Sequence, residues 1–348
     1  MTTSPGRLLA ERPAPPGTLL HRPAPPRTRL EERPTPPPQV KSLIRPLSRR
    51  DDWLNWMFLA GDWSVIAAAV TVHLLVPGPV VYLLALTVIG SRMRALGNLL
   101  HEAAHLKLFR NRGLNDMAGR LLCASPIFAG YGRYVAAHKL HHRNLWRNAQ
   151  DPDLALYTLT KTETSSRGRE TFAAFVGKHV LLVIIPVLPL WRLCHDLRRD
   201  RLSLVTVILL AAAGILLPFF ASPLISDVVV FCWIIPWFTA FQCITYWAEL
   251  GEHGGLRQHG WNWGSRNWRG NFVTRWLIGS HSDDLYHLLH HWFPTVPHHR
   301  LRYLDSTCRS EWAAYRSRSR CAGFFLGSGT GASVLRDIWS GGEPAGRS

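Results

Sequence analysis

The sequence predicts an all-α integral membrane protein, with four transmembrane helices in two hairpins and a cytoplasmic helical cap that carries clustered histidines. Three observations point there. Only 18% of the 348 residues are charged and 47% are hydrophobic, against about 25% charged in an ordinary soluble domain. The apolar residues gather into runs near the ~20 residues that a helix needs to cross a bilayer. Eight of the 17 histidines fall in three short clusters beside those runs.

Taken in order, residues 1–50 hold 12 of the 24 prolines, with ten basic residues against three acidic ones. A loose repeat begins at Glu11, His21 and Glu32. Such a stretch cannot bury a core and is expected to be a disordered or polyproline-like arm near anionic lipid. It lacks the continuous apolar stretch of a secretory signal and is too proline-rich for an amphipathic transit peptide. The first pair of spans, Met57–Val76 and Val80–Gly97, flanks the breaker Pro77-Gly78-Pro79, and the second, Leu202–Ala221 and Val228–Tyr246, flanks Ser222-Pro223. A fifth apolar stretch, Phe172–Leu193, carries Lys178, His179, Pro186 and Pro189. If it crossed, Arg192, Arg198, Arg199 and Arg201 would oppose the basic arm, so the positive-inside tendency makes it interfacial or re-entrant. Leu121–Gly130 is also too short to cross. From 305 to 348 the chain turns polar, a surface-lying tail, which leaves 51–304 as the catalytic region.

With this topology both termini and every basic segment are cytoplasmic. The formal charge of +17 then describes a basic cytoplasmic face rather than a nucleic-acid surface. The six cysteines form no CxxC pair, so neither a zinc ribbon nor a disulfide framework is indicated.

The histidine clusters are His101-Glu-Ala-Ala-His105, His138-Lys-Leu-His141-His142 and His287-Leu-Leu-His290-His291. An even number of crossings separates them, so all three can meet on one membrane face. On a helix, residues at i, i+3 and i+4 share a side, and this is metal-ligand spacing. HxxHH is expected by chance about 0.04 times in a chain of this composition, yet it occurs twice. Imidazole suits zinc, copper, iron and nickel, and a catalytic zinc takes three protein ligands. Eight imidazoles suffice for two metals with open positions, as two irons sharing dioxygen would need. The rival reading is the HExxH pattern of zinc proteases at His101, Glu102 and His105, which leaves the other two clusters without a role. Isolated histidines, His21, His73, His179 and His195, are read as core, interfacial or surface residues. His298 and His299 are read as solvent-facing.

These clusters and their flanks resemble the membrane fatty acid desaturase superfamily, which includes related hydroxylases and carotenoid ketolases. His141-His142-Arg-Asn is followed by Asp151-Pro-Asp153, similar to the DPD of that family. Glu249-Leu-Gly-Glu252-His253-Gly-Gly resembles its EHGG-like segment, and Tyr286–Pro297 resembles its YHLxHHxFPxVP run. The resemblance covers residues 51 to about 304.

It implies an O2-dependent, non-haem di-iron oxygenase in which the eight clustered histidines are metal ligands and His253 is a ninth. Glu249, four residues before His253, is the candidate to orient the site through water or directly, and Asp151 and Asp153 are candidates to accept ring N–H bonds from ligand histidines. His281 sits one residue out of the family's spacing and is left unassigned. Substrate class follows from position: a long acyl chain can thread between the spans while its head stays outside, whether lipid, coenzyme A or acyl carrier protein. Trp261, Trp263, Trp268, Trp276 and Trp292 are expected in an interfacial aromatic belt. Neither a GxGxxG, a ferredoxin cysteine pattern nor an HPGG haem segment is present, so a separate electron donor, ferredoxin with its reductase, is expected. Desaturation leads, hydroxylation or ketolation by the same site follows, and a zinc protease or metal carrier is the remote alternative.

Overall fold

A computed structural model of the chain describes residues 34–147, 150–185, 187–192, 208–209, 212–213, 216–217, 219–281, 285–318, 323–327 and 332–341. Among these residues the fold is helical, with two isolated β-bridges and no strand.

Two long helices form the first hairpin. In α2 (Asp52–Leu75), the Asp51 carboxylate caps the start by accepting from the Leu54 N–H at 3.1 Å. Pro77 and Gly78 stop it, and Pro79, whose fixed φ suits a first helical turn, starts α3 (Pro79–Ala104). At 1.5 Å per residue, the 26 residues of α3 reach about 39 Å, beyond the ~30 Å of bilayer hydrocarbon. The last turns of α3 therefore project past the apolar layer. Leu59 and Ile66 of α2 pack on Ile89, Met93 and Leu96 of α3.

The third long element, α8, begins at Pro223–Ser226, winds through wider π turns at Asp227–Ile234 and Trp237–Phe241, and ends as Gln242–His253. It crosses α3 where a Cβ on Gly90 would lie 2.6 Å from the Ala240 Cβ. Only a glycine lets these backbones approach so closely, the small-residue contact that drives helix association in lipid. Three helices among the described residues are long and apolar enough to cross a membrane: α2, α3 and the stretch Pro223–Trp263. They contain three of the four spans expected from sequence; Leu202–Ala221 lies largely outside the described residues. The helix α7 (Phe172–Ile184) has 13 residues, or about 20 Å, too short to cross alone.

Shorter helices build a cap. They are α4 (Arg112–Ala118), α5 (Tyr131–Asn144), α6 (Leu154–Thr160), α9 (Phe272–Leu277), α10 (His287–Trp292), α11 (Leu301–Glu311), α12 (Ala313–Arg318) and α13 (Val334–Ser340). Helix α1 (Pro38–Leu47) lies in the stretch expected as a disordered arm. Its Val40, Ile44 and Leu47 recur at helical spacing and pack with Leu301, Leu304 and Cys308 of α11.

The polar composition after residue 305 likewise hides apolar stripes. Trp312 and Tyr315 join the cluster around α10, and Phe324, Val334, Leu335 and Ile338 pack against α8. These segments are parts of the packed cap rather than a surface-lying tail. The tryptophan belt is also corrected: Trp263, Trp268 and Trp292 are buried within the protein, where helices of the cap, not lipid, cover their rings.

Candidate metal centre

Each histidine is placed by helical geometry. The end of α3 presents His101 and His105, four residues apart. Helix α5 presents His138 and His142 on one side and His141 about 100° away, and α10 does the same with His287, His291 and His290. The last residue of α8 is His253.

The fold gathers all nine into two groups. His101, His105, His138, His142 and His290 form one, and His141, His253, His287 and His291 the other; within each, the donor atoms lie within 4.8 Å of one another. The Nε2 atoms converge, at 2.6 Å for His101 and His290, 2.7 Å for His105 and His138, and 3.0 Å for His142 and His290. In the second group, His253 Nε2 is 3.0 Å from His287 and 3.2 Å from His141.

Partners on the opposite ring nitrogens decide what the convergence means. His141 Nδ1–H donates to Asp151 Oδ1 at 2.9 Å and lies 3.1 Å from Asp153 Oδ2. His253 Nδ1–H faces the Gly264 carbonyl at 3.1 Å and the Ser265 hydroxyl at 3.0 Å. With the proton on Nδ1, neutral rings turn their Nε2 lone pairs toward one another across 3.2 Å, so a positive charge, either a proton on His141 or a cation, must sit between them. A cation is what such an arrangement accommodates, and a metal–nitrogen bond of about 2.0–2.1 Å suits it.

Electrostatics agrees. Burial, then the neighbouring imidazoles, pushes His138, His287, His290 and His291 well below the usual histidine range, and His142 down to about 2. These rings are neutral at pH 7, the form that ligates. For His141 burial acts in the same direction, but the Asp153 and Asp151 carboxylates outweigh it and raise the group to about 9. Burial would raise Asp151, but the His141 N–H and the backbone N–H groups of Trp146 and Asp153 hold it below its ordinary value.

The surroundings fix the histidines' positions. Asp151 Oδ2 also accepts from the Trp146 N–H at 2.9 Å, pinning the turn after α5 where Trp146 takes a φ of 64°. The Trp146 ring fills the space a side chain at Gly264 would need, since a Cβ there would lie 2.3 Å from it. Its indole N–H donates to the Gly264 carbonyl at 2.9 Å. Asn267, fully buried, accepts from the N–H groups of Leu288 and Leu289 at 3.0 and 3.4 Å and donates to Tyr315 at 2.6 Å. The helices after residue 305 thereby brace the start of α10.

Several residues sit elsewhere than the sequence suggested. Glu249 pairs with Arg192, and its carbonyl accepts from Tyr157 at 3.0 Å; it belongs to neither histidine group. A further carboxylate beside the site is Glu252, 3.7 Å from His287 Nε2 and 3.4 Å from Arg94. Its place just before His253 was the available signal. Tyr134, stacked on His138 at 5.7 Å, was legible as the residue four before it. Ser265 and Gly264 come from an irregular segment that carries no pattern.

Glu102, the residue an HExxH protease would use as its base, is buried and accepts from the His298 N–H at 3.4 Å, which ties it into the packing after α10. His298 is buried rather than solvent-facing, because Phe58 and His281 cover its ring, and His299 is half-buried. His281 bonds Asp62 at 2.6 Å, outside both groups. His73 pairs with Asp227 at 3.2 Å, and His179 with Tyr246. His21 and His195 lie outside the described residues.

Comparison with known proteins agrees with this geometry. The fatty acid desaturase family profile matches residues 77–321, a range that holds all nine histidines. The dihydrorhizobitoxine desaturase of Bradyrhizobium elkanii is 30% identical over 261 residues, which cover 72% of this chain and 73% of that protein. The chain belongs to the fatty acid desaturase family and is a membrane oxidoreductase.

Proposed function

We propose that this protein is an O2-dependent di-iron desaturase that introduces a double bond into a long acyl chain. The observation that carries the reading is the division of nine buried imidazoles into groups of five and four. His101, His105, His138, His142 and His290 would hold one iron, and His141, His253, His287 and His291 the other. When bound, the two irons supply the oxidising chemistry: O2, two electrons and two protons take two hydrogens from adjacent carbons and leave an alkene and two waters.

The chain's own groups position and protect that chemistry. Asp151 and Asp153 keep His141 strongly basic, Gly264 and Ser265 orient His253, and Asn267 fixes the helix that bears the third cluster. Leu288, Leu289, Trp292 and Phe293 pack on the far side of α10 and keep water out. A lateral apolar substrate suits a site at the end of long membrane helices. In the topology we favour, four spans form two hairpins, with the site and both termini cytoplasmic. The electrons would come from a separate ferredoxin and its reductase, and the acyl head from lipid, coenzyme A or acyl carrier protein.

The Bradyrhizobium relative is named for dihydrorhizobitoxine, so that compound is the second substrate to assay beside acyl chains. The test is metal analysis of anaerobically purified protein with a Mössbauer spectrum, followed by product analysis. Two irons per chain and an O2-dependent alkene product are expected. One zinc and no iron after iron-supplemented expression would refute the di-iron reading, and an alcohol as the sole product would replace desaturation by hydroxylation.

A further inference from the structure

The membrane spans are nearly free of ionisable side chains. From Trp63 to Ser91, His73 is the one residue among Asp, Glu, His, Lys and Arg, and from Leu202 to Ala248 it is Asp227. The fold brings these two together: His73, in the last turn of α2, has its Nε2 3.2 Å from Asp227 Oδ2 in the first turns of α8. Ionisable groups in membrane segments are rare and mark functional positions by default.

A latch between α2 and α8 would need no more than this pair, yet a third donor joins it. Cys232 is buried, and its sulfur, the His73 ring and the Asp227 carboxylate offer donor atoms that all lie within 4.8 Å of one another. Cys232 stands five residues after Asp227, which on an α-helix would turn it about 140° away. Here Asp227–Ile234 is a π-helix, whose wider turn, with bonds from i to i+5, carries Cys232 back toward Asp227. Such turns are rare and frequently accompany functional sites. Tyr82, in the first turn of α3, closes one side: its ring lies 5.2 Å from that of His73, and its hydroxyl donates to the Phe231 carbonyl at 3.2 Å.

The donor set selects the ion. Magnesium and calcium take oxygen ligands, whereas imidazole and thiolate together suit zinc and its neighbours among the transition metals. Two ligands at about 2.0–2.1 Å from a tetrahedral zinc stand about 3.3 Å apart, close to the 3.2 Å between His73 and Asp227. Three protein ligands leave the fourth position open, and the Asp227 side chain, 34% exposed, gives it access to solvent.

We propose that His73, Asp227 and Cys232 bind a zinc-type divalent ion, which ties α2 to α8 at the end of the bundle remote from the nine histidines. The Cys232 thiol gives up its proton to solvent as the metal–sulfur bond forms. Nineteen residues of α3 separate Tyr82 from His101, about 28 Å at 1.5 Å per residue, so this ion binds independently of whatever the histidine groups hold.

Cobalt(II), titrated into the purified full chain, is the probe. A thiolate gives cobalt a near-ultraviolet charge-transfer band that the all-nitrogen histidine groups cannot produce. One such band, saturating at one cobalt per chain, is expected, bleached by zinc and untouched by magnesium. Cys232→Ser, nearly isosteric, should abolish the band, and Cys243→Ser, at another free cysteine of α8, should leave it. His73→Ala and Asp227→Asn should each raise the cobalt concentration at half-saturation at least about tenfold, with helix content by circular dichroism unchanged.

Zinc should also raise the melting temperature of the wild type but not of Cys232→Ser. A His73–Asp227 latch without a metal gives neither a sulfur band nor a zinc effect that depends on Cys232. That result, a band that survives Cys232→Ser, or cobalt binding unchanged in both His73→Ala and Asp227→Asn overturns the proposal.

Discussion

Asp151→Asn isolates what a carboxylate contributes to His141, a ligand in the proposed centre. Asp151 is 4% exposed and accepts three hydrogens: from His141 Nδ1 at 2.9 Å, from the Trp146 N–H at 2.9 Å and from the Asp153 N–H at 3.1 Å. Asparagine preserves the shape but turns one acceptor oxygen into a donor, so either His141 or Trp146 then faces an N–H with an N–H. The charge that strengthens His141 as a base is lost as well. Such partners are worth about 10–100-fold in metal affinity, or about 1.4–2.8 kcal/mol. Asp153 stands 3.1 Å from the same nitrogen with its side chain 53% exposed, so it substitutes in part. The single variant is expected near the tenfold end of that range and Asp151→Asn with Asp153→Asn near the hundredfold end. Anaerobic titration against a chromogenic iron chelator measures the change, with the melting temperature of the chelator-stripped protein as the control for folding. Iron affinity within about twofold of wild type in the double variant would refute this account of His141.

Other perturbations bear on the same site. His142→Ala and His290→Ala should each abolish turnover and lower bound iron with the membrane helices intact by circular dichroism; full activity with normal iron would remove that residue from the ligand set. Glu102→Gln should lower turnover by less than about tenfold, whereas a general base would lose about 10²–10⁴-fold. Asn267→Ala leaves the Leu288 and Leu289 N–H groups without their acceptor, and a loss of about 1–3 kcal/mol is expected in denaturant unfolding; an unchanged midpoint would deny the brace on α10. In iron-free protein, His138, His142, His287, His290 and His291 bind protons less readily than the unfolded chain, so their contribution is present above pH 6.5 and is lost as pH falls below it, by up to about 1.4 kcal/mol per unit for each. His141, raised to about 9, acts oppositely and loses its contribution as pH rises through 9; a melting temperature that did not fall from pH 6.5 to 5 would contradict the first direction, and one that did not fall from pH 7.5 to 9 the second.

What the sequence made legible was periodic or compositional. Long apolar runs need no tertiary context to be read as membrane helices, and the i, i+3, i+4 spacing of the histidines states which side chains share a face before any helix is seen. What it hid depends on contacts between distant segments. Glu249 and Glu252 stand in the same motif, yet only packing tells that Arg192 takes the first while the second lies beside His287. Val40 and Cys308 reside in stretches whose overall polarity suggested solvent, but helical spacing places each on an apolar stripe that finds the other. His298 looked exposed because it adjoins His299 and Arg300; the chain turns there, and its ring goes inward against Phe58.

The use of adjacent histidines explains why the clusters have the form HxxHH. On a helix, neighbours diverge by about 100° while residues four apart align. Helix α5 sends His138 and His142, an aligned pair, to the first group and His141 to the second; α10 sends its aligned pair, His287 and His291, to the second and His290 to the first. The two clusters are complementary, each giving two imidazoles to one group and one to the other. The end of α3 adds two to the first and His253 adds one to the second, which yields five and four. In both helices the adjacent histidines go to different groups and the residues four apart go to the same one. The repeated adjacent pair is the sequence mark of helices that stand between the two imidazole groups. It also explains the load on Asn267 and Asp151: a small rotation of α10 or α5 would move imidazoles toward one group and away from the other, so both helices must be held from outside the site.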